Sequence, residues 1–367
     1  MKIRQALGKT STAKYEAMRA SVCSDERLRG LLQFYGANRT GRWAGRIVQP
    51  QNLPHDHPDD IEGARALVAE NDYDWFSTLY DVPQTLSQLI RTAFVPSEGR
   101  RFIVSDFSAI EARVVAYLAD EKWRLDVFKN NGDIYCASAS QMFHVPVEKH
   151  GINGHLRSRG KVAELALGYG GSVGALVSMG ALKMGIPEEE LQGIVTAWRN
   201  SSPNIVKFWY EVDKAAKEAI KGKPSVIRHN ISFYRESGIL FIKLPSGRSL
   251  AYAKPSLGIN KFGSESICYM GMNQTTKTWE KLETFGGKLV ENIVQAVARD
   301  CLAEAMIRLE NKGYEINFSV HDEVILDVPK DTGSVEEVNT IMGQPISWAP
   351  GLNLKADGYE CNFYMKD

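Results

Sequence analysis

Apolar positions recur at helical spacing over most of this chain, and short runs of β-branched and aromatic residues interrupt them. Ala13 to Arg29 predicts a helix, with Thr10, Ser11 or Thr12 available as its cap. Asn38 to Pro54 is polar, glycine-containing and basic, which predicts loop or short strand, and Pro54 to Asp60 predicts a surface turn. Ile61 to Leu89 alternates helical stretches with breaks. Arg101 to Asp106 predicts a strand; Ser108-Ala-Ile-Glu111 then fits a capping box and starts a helix through about Leu118. Asn131 to about Ala253 reads as mostly helical, broken at Gly170-Gly171, Met184-Gly-Ile-Pro187, Ser201-Ser-Pro203 and Gly222-Lys-Pro224. Late in that stretch, Leu240 to Tyr252 has the pattern of a hairpin turning at Pro245-Ser-Gly247. Leu289 to Glu310 predicts a long helix, and Glu315 to Pro329 a hairpin with His321-Asp322 near its tip. The strands on either side of the helical insertion are expected to belong to one sheet.

Two of these apolar runs end in aspartate: Phe102-Ile-Val-Ser-Asp106 and Phe318-Ser-Val-His-Asp322, 216 positions apart (322 − 106). Carboxylates at the ends of adjacent strands converge, and convergent hard oxygens are what a pair of Mg²⁺ ions needs. The bland alternatives are a strand-end cap for Asp106 and a tight turn for Asp322. Between the two runs, Arg157, Lys161, Leu165 and Tyr169 recur every four residues. At ~3.6 residues per turn they share one helix face, graded from cation to aromatic. Such a face suits a triphosphate at one end and a sugar and base at the other; a surface helix with snorkelling cations is the plainer reading. Asn38-Arg39-Thr40-Gly41-Arg42-Trp43 mixes cations with an aromatic, as nucleic-acid contacts do. His55-x-His57 and Asp60-Ile-Glu62 read as acidic surface loop, since no further ligands follow at useful spacing.

Composition narrows the class. The 367 residues are 44% hydrophobic and 24% charged, as in a soluble globular enzyme. No run reaches the ~18 apolar residues of a membrane span, and the first residues lack a signal-peptide core. Five widely spaced cysteines without a Cys-x-x-Cys pair point to free thiols in a reducing cytoplasm. Net charge is zero, but residues 1–50 carry ten Lys/Arg against three acids, and residues 310–367 four against eleven. A basic leading segment beside acidic strands fits a DNA cleft that holds metal ions.

Taken in order, these segments resemble family A DNA polymerases, the Klenow-like group. Asp106-Phe-Ser-Ala-Ile-Glu111-Ala-Arg113 resembles their first palm motif, Arg157-x3-Lys161-x3-Leu165-x3-Tyr169-Gly170 their fingers helix, and Val320-His-Asp-Glu323 their second palm motif. Thr40-Gly-Arg42 with Gln49-Pro-Gln-Asn52-Leu-Pro54 resembles the primer-contacting segment, and Glu291-Asn292-Ile-Val-Gln295 through Asp300 the palm helix. Gly286 to Gln295 is worded most like bacteriophage members. The resemblance implies an α+β right-hand core: a thumb remnant over 1–30, palm over 31–128 and 286–367 with an antiparallel sheet, and helical fingers over 129–285. It implies template-directed addition of dNTPs to a primer. Asp106 and Asp322, with the Phe107 carbonyl, would hold two Mg²⁺, with Mn²⁺ as a substitute. Arg157 and Lys161 would grip the triphosphate, Lys161 also protonating the leaving pyrophosphate. Tyr169 would close over the nascent pair and Leu165 would face the sugar. Glu111 would exclude ribonucleotides, a role that can coexist with a capping contact. Arg42, Asn292, Gln295 and His321 would contact DNA, Arg42 and Gln295 through minor-groove acceptors shared by all base pairs.

Three departures stand out. Leu165 replaces an aromatic residue, Ala109 replaces a common Gln, and the chain opens near the end of what would be the thumb. The expectation is therefore a polymerase without its own 3′–5′ exonuclease domain and with weak DNA grip, either a truncated fragment or half of a split enzyme. In the split case a second chain would supply thumb and proofreading. The competing readings are a DNA-binding subunit that has lost catalysis and a related RNA polymerase, which Glu111 opposes.

Overall fold

Strand Arg100–Phe107 is central to a four-stranded antiparallel sheet whose order is Ile316–Val320, Glu323–Pro329, Arg100–Phe107, Ala356–Cys361. The structure, a computed structural model, describes residues 13–366. These fall into two units: one holds the described part of Met1–Ser108 with Leu302–Gln344 and Lys355–Asp367, the other Ala109–Cys301 with Pro345–Leu354.

In the first unit, Phe102, Val104, Phe318, Val320, Ile325 and Tyr364 form the sheet's core. Helix Val335–Met342 packs on Ala356–Cys361 and Arg100–Phe107, where the Ser105 hydroxyl donates to Asn339 Oδ1 (2.6 Å). The hairpin predicted over 315–329 is present, and the acidic stretch 61–89 forms helices Ile61–Ala69, Tyr73–Leu79 and Val82–Leu89. Each begins on an aspartate cap, Asp60, Asp72 or Asp81. Asp60 is thus a cap rather than a ligand fragment.

Two local expectations are corrected. The first described helix is Ala13–Ser21 and does not reach Arg29. Beyond it the Cys23 amide donates to the Arg27 carbonyl, and Asp25 accepts from the Arg27 amide and pairs with Arg29; such local bonds compete with helix. The proposed caps Thr10, Ser11 and Thr12 lie outside the described residues. Second, Ser108 does not cap the helix Ile110–Ala119. The cap position is Ala109, in left-handed conformation (φ 51°), with no side-chain cap. Sheet pairing carries through Phe107, so the Ser108 amide donates to the Lys355 carbonyl (2.8 Å) and its hydroxyl to Asp357.

The second unit begins helical, as predicted, but from Ser225 it turns into a six-stranded antiparallel meander ending at Thr284. Helix Pro203–Ile220 packs on its strands Ser232–Glu236, Ile239–Lys243 and Ser249–Ile259. Of these strands the sequence pattern anticipated only the hairpin around Pro245–Gly247. Ile231, Phe233, Leu240 and Ile242 are buried at two-residue spacing. Ser237 and Gly238, both at positive φ, make the two-residue turn between them.

A buried ion pair joins the helices of this unit. Arg124, fully buried, pairs bidentately with Glu164, which also accepts from Ser138 Oγ (2.6 Å) and Trp198 Nε1 (2.8 Å). These donors come from helices Lys122–Lys129, Ile134–Phe143 and Glu188–Ser201, and Glu164 from Arg157–Leu167. Gly160 permits the last helix to approach closely: a Cβ there would lie 2.1 Å from the Tyr135 carbonyl oxygen.

Arg124→Met should lower unfolding free energy by about 3 kcal/mol in urea denaturation, because it strands a buried carboxylate. In the first unit, Asp327 accepts from Ser97 N (3.2 Å), Ser97 Oγ (2.6 Å) and Arg100 Nε (3.0 Å). Burial works to raise its pKa, but these donors outweigh burial and hold it below the usual value. Its stabilisation is therefore present above the unfolded pKa of ~4 and lost as pH falls through the lower folded value. Accordingly, the Tm gap between wild type and Asp327→Asn should be largest near neutrality and shrink in acid. A gap that does not depend on pH would contradict this.

Candidate active site

Strand pairing gathers the acidic groups. Asp106 stands opposite Glu323 on one side and Asp357 on the other. Val320 pairs with Glu323, so His321 and Asp322 form a two-residue tip, with His321 at φ 58°. The Phe107 amide donates to the Asp322 carbonyl (3.3 Å). The two aspartates therefore come together at the ends of adjacent strands.

Such crowding is costly. Burial first, and the adjacent Asp106 second, raise the Asp322 pKa well above the carboxylate range. Burial also raises Glu323, which is almost wholly enclosed. Lys366 offsets this charge: its Nζ lies 3.1 Å from Asp106 Oδ2 and 3.4 Å from Glu323 Oε2. Desolvation opposes the charge on Lys366, but attraction to Glu323 and Asp106 outweighs it and raises its pKa. Tyr364 donates its hydroxyl to Glu323 Oε1 (2.6 Å). Arg91, also buried, donates to the Tyr364 hydroxyl (2.9 Å) and to the carbonyls of Leu53 (2.7 Å) and Pro54 (2.6 Å). The segment 49–54 is thereby tied to the acidic cluster. His321 Nε2 lies 3.2 Å from the Gln51 carbonyl, and the half-buried Arg42 is close enough for its charge to act on His321 and Asp322.

With both Glu323 oxygens engaged, one acidic atom stands apart. Asp106 Oδ1 is buried and has no hydrogen-bond partner. A bare buried carboxylate oxygen fits a cation. No group of three or more His, Cys, Asp or Glu suited to a metal occurs among the described residues. The two aspartates offer hard carboxylate oxygens, which suit Mg²⁺, an ion that keeps several waters.

In the second unit, helix Arg157–Leu167 presents Arg157, Lys161 and Leu165 outward, with Leu165 51% exposed. Arg157 Nε donates to Asp133 Oδ2 (2.8 Å), and Asp133 also caps helix Ile134–Phe143. Among the described residues no carboxylate pairs with Lys161. Tyr169 is not on the helix, as its four-residue spacing suggested; it lies two residues past its end. Its main chain meets Gly287, where a Cβ would fall 2.3 Å from the Tyr169 carbonyl oxygen. Its hydroxyl donates to Glu111 Oε2 (3.0 Å), so Glu111 faces Tyr169 rather than completing a capping box. On helix Gly286–Asn311, Gln295 is half-buried, while Asn292 is buried and donates to the Tyr252 hydroxyl (3.0 Å).

The sequence reading missed Arg91, Tyr364 and Lys366. The available signal, for Lys366 alone, was a cation after Phe363-Tyr364-Met365 in a segment, 310–367, that holds four cations against eleven acids. The five cysteines are free, and no described helix is long and apolar enough to cross a membrane.

The chain matches DNA polymerase family A over residues 7–357. It is 56% identical to a DNA polymerase of Bacillus phage SP02 over 370 residues, covering all of this chain and 57% of that protein. Over 251 residues it is 27% identical to the thermostable DNA polymerase I of Thermus aquaticus, covering 67% of this chain and 25% of that one. Its fold is similar to the POL domain of Pol1 from M. smegmatis, solved with DNA primer-template and dNTP: TM-score 0.64 and 20% identity over 96% of this chain and 51% of that chain. The match spans nearly the whole chain, and on it this protein belongs to DNA polymerase family A.

Proposed function

We propose that this chain extends a DNA primer along a template, using Asp106 and Asp322 as ligands for two Mg²⁺ ions, with Mn²⁺ able to substitute. The observation that carries the reading is the buried, unpartnered Oδ1 of Asp106 beside Asp322. When bound, such ions supply Lewis-acid activation of the primer 3′-hydroxyl and neutralise charge on the leaving pyrophosphate. The Phe107 carbonyl is a further oxygen ligand in this proposal.

The remaining steps belong to the chain's own groups. Arg157, oriented by Asp133, and Lys161 bind the triphosphate, and Lys161 gives a proton to the departing pyrophosphate. Tyr169 covers the nascent base pair while its hydroxyl holds Glu111. Glu111 then occupies the space a ribose 2′-hydroxyl would need. Leu165 offers an aliphatic surface to the sugar. Arg42 and Gln295 hydrogen-bond acceptors in the minor groove, which tests pair shape without reading sequence. His321, bonded to the Gln51 carbonyl, supports the primer terminus. Asn292 acts on DNA through helix Gly286–Asn311, which its bond to Tyr252 steadies.

The palm in this reading is residues 31–128 with 286–367, and the fingers are 129–285. The setting is the cytoplasm of a bacterium or of an infected bacterial cell.

Primer extension with Mg²⁺ and dNTPs is the direct test. Asp106→Asn should reduce extension by at least about a thousandfold while leaving primer-template binding within about twofold. Extension near the wild-type rate would dismiss Asp106 as a ligand. Glu111→Ala should raise the ribonucleotide share of products by a factor of about a hundred or more, read by alkaline cleavage of the extended strand. Unchanged sugar selectivity would remove Glu111 from that role.

A further inference from the structure

We propose that Lys366 is a built-in counter-ion of the acidic cluster, standing in for a divalent cation in the metal-free protein and competing with its binding. The inference rests on the metal reading of Asp106 given above.

The argument is one of charge and space. Asp106, Asp322 and Glu323 bring three acidic side chains to one strand end, and Lys366 is the cation bonded directly to two of them, at 3.1 Å and 3.4 Å. Glu323 has one oxygen on Lys366 and the other on Tyr364, so it acts as a holder of the lysine. Asp106 is divided: Oδ2 receives Lys366, and Oδ1 remains buried with no donor. A divalent ion on Oδ1 would sit no more than about 7 Å from a lysine held on Oδ2 of the same carboxylate, a limit set by carboxylate dimensions and metal–oxygen distances. Two cations so close in a partly desolvated site repel strongly. The entering ion must therefore push the ammonium aside, toward Glu323, and its affinity is lowered by that work. In exchange, the empty cluster is spared the repulsion between its own acids. Arg91 does not substitute for Lys366, because its guanidinium is committed to Leu53, Pro54 and Tyr364.

The test uses the full chain without DNA or nucleotide, stripped of metal and titrated with Mn²⁺, the free ion being read by electron paramagnetic resonance. Lys366→Met should bind Mn²⁺ about tenfold more tightly than wild type, and Lys366→Arg should stay within about twofold. In EDTA, Lys366→Met should melt below wild type, and saturating Mn²⁺ should close that gap. Should Lys366→Met fail to fold, Lys366→Gln keeps a donor without the charge and should shift affinity the same way. Equal or weaker Mn²⁺ binding by the neutral variants, with binding still abolished by Asp106→Asn, overturns the counter-ion role alone. Wild-type binding no different from that of Asp106→Asn overturns both this inference and the metal reading.

Discussion

Electrostatic repulsion at the end of one strand is the constraint around which the first unit is organised. The register that sets Asp106 against Glu323, with Asp322 in the adjoining tip, concentrates negative charge where burial makes it expensive. The surrounding residues are arranged to relieve it. Lys366 bridges two of the carboxylates, Tyr364 donates to one, and Arg91 fixes Tyr364. The same guanidinium grips the carbonyls of Leu53 and Pro54. The residues that balance the cluster thus also locate the segment following Arg42.

The second unit places its charge differently. Its deepest ion pair, Arg124 with Glu164, lies on the inner face of helix Arg157–Leu167, and both carboxylate oxygens of Glu164 are met by donors from neighbouring helices. Burying such a pair brings little net stability but strongly penalises any arrangement that separates it. It therefore fixes which helices are neighbours. The close backbone approach at Gly160 works in the same direction by removing the room for a shifted packing.

Much of this was legible in the sequence because the signals were local. Short β-branched runs ending in aspartate located both strands, and the hairpin at 321–322 followed from its flanks. The six-stranded meander was largely lost because its strands are short and the preceding helical pattern was carried too far; the Ser237-Gly238 turn was the local cue. Glu111 looked like a helix cap because Ser108 precedes it by three residues. The sheet claims Ser108 instead, a long-range pairing with Lys355 and Asp357 that no short motif encodes. Arg91, Tyr364 and Lys366 were missed for a similar reason: they lie 15 to 260 positions from Asp106 and join its cluster only through the fold, Lys366 directly, Tyr364 through Glu323 and Arg91 through Tyr364.

Helix Arg157–Leu167 divides its side chains between those bound to neighbouring helices and those left outward. Gly160 and Glu164 hold it in place, whereas Leu165 and Lys161 touch little of the protein. Replacing Lys161 or Leu165 should hardly disturb folding, so this part of the surface offered to a ligand can drift under selection while the scaffold stays constant. The aliphatic residue at 165 is the kind of change such an arrangement tolerates.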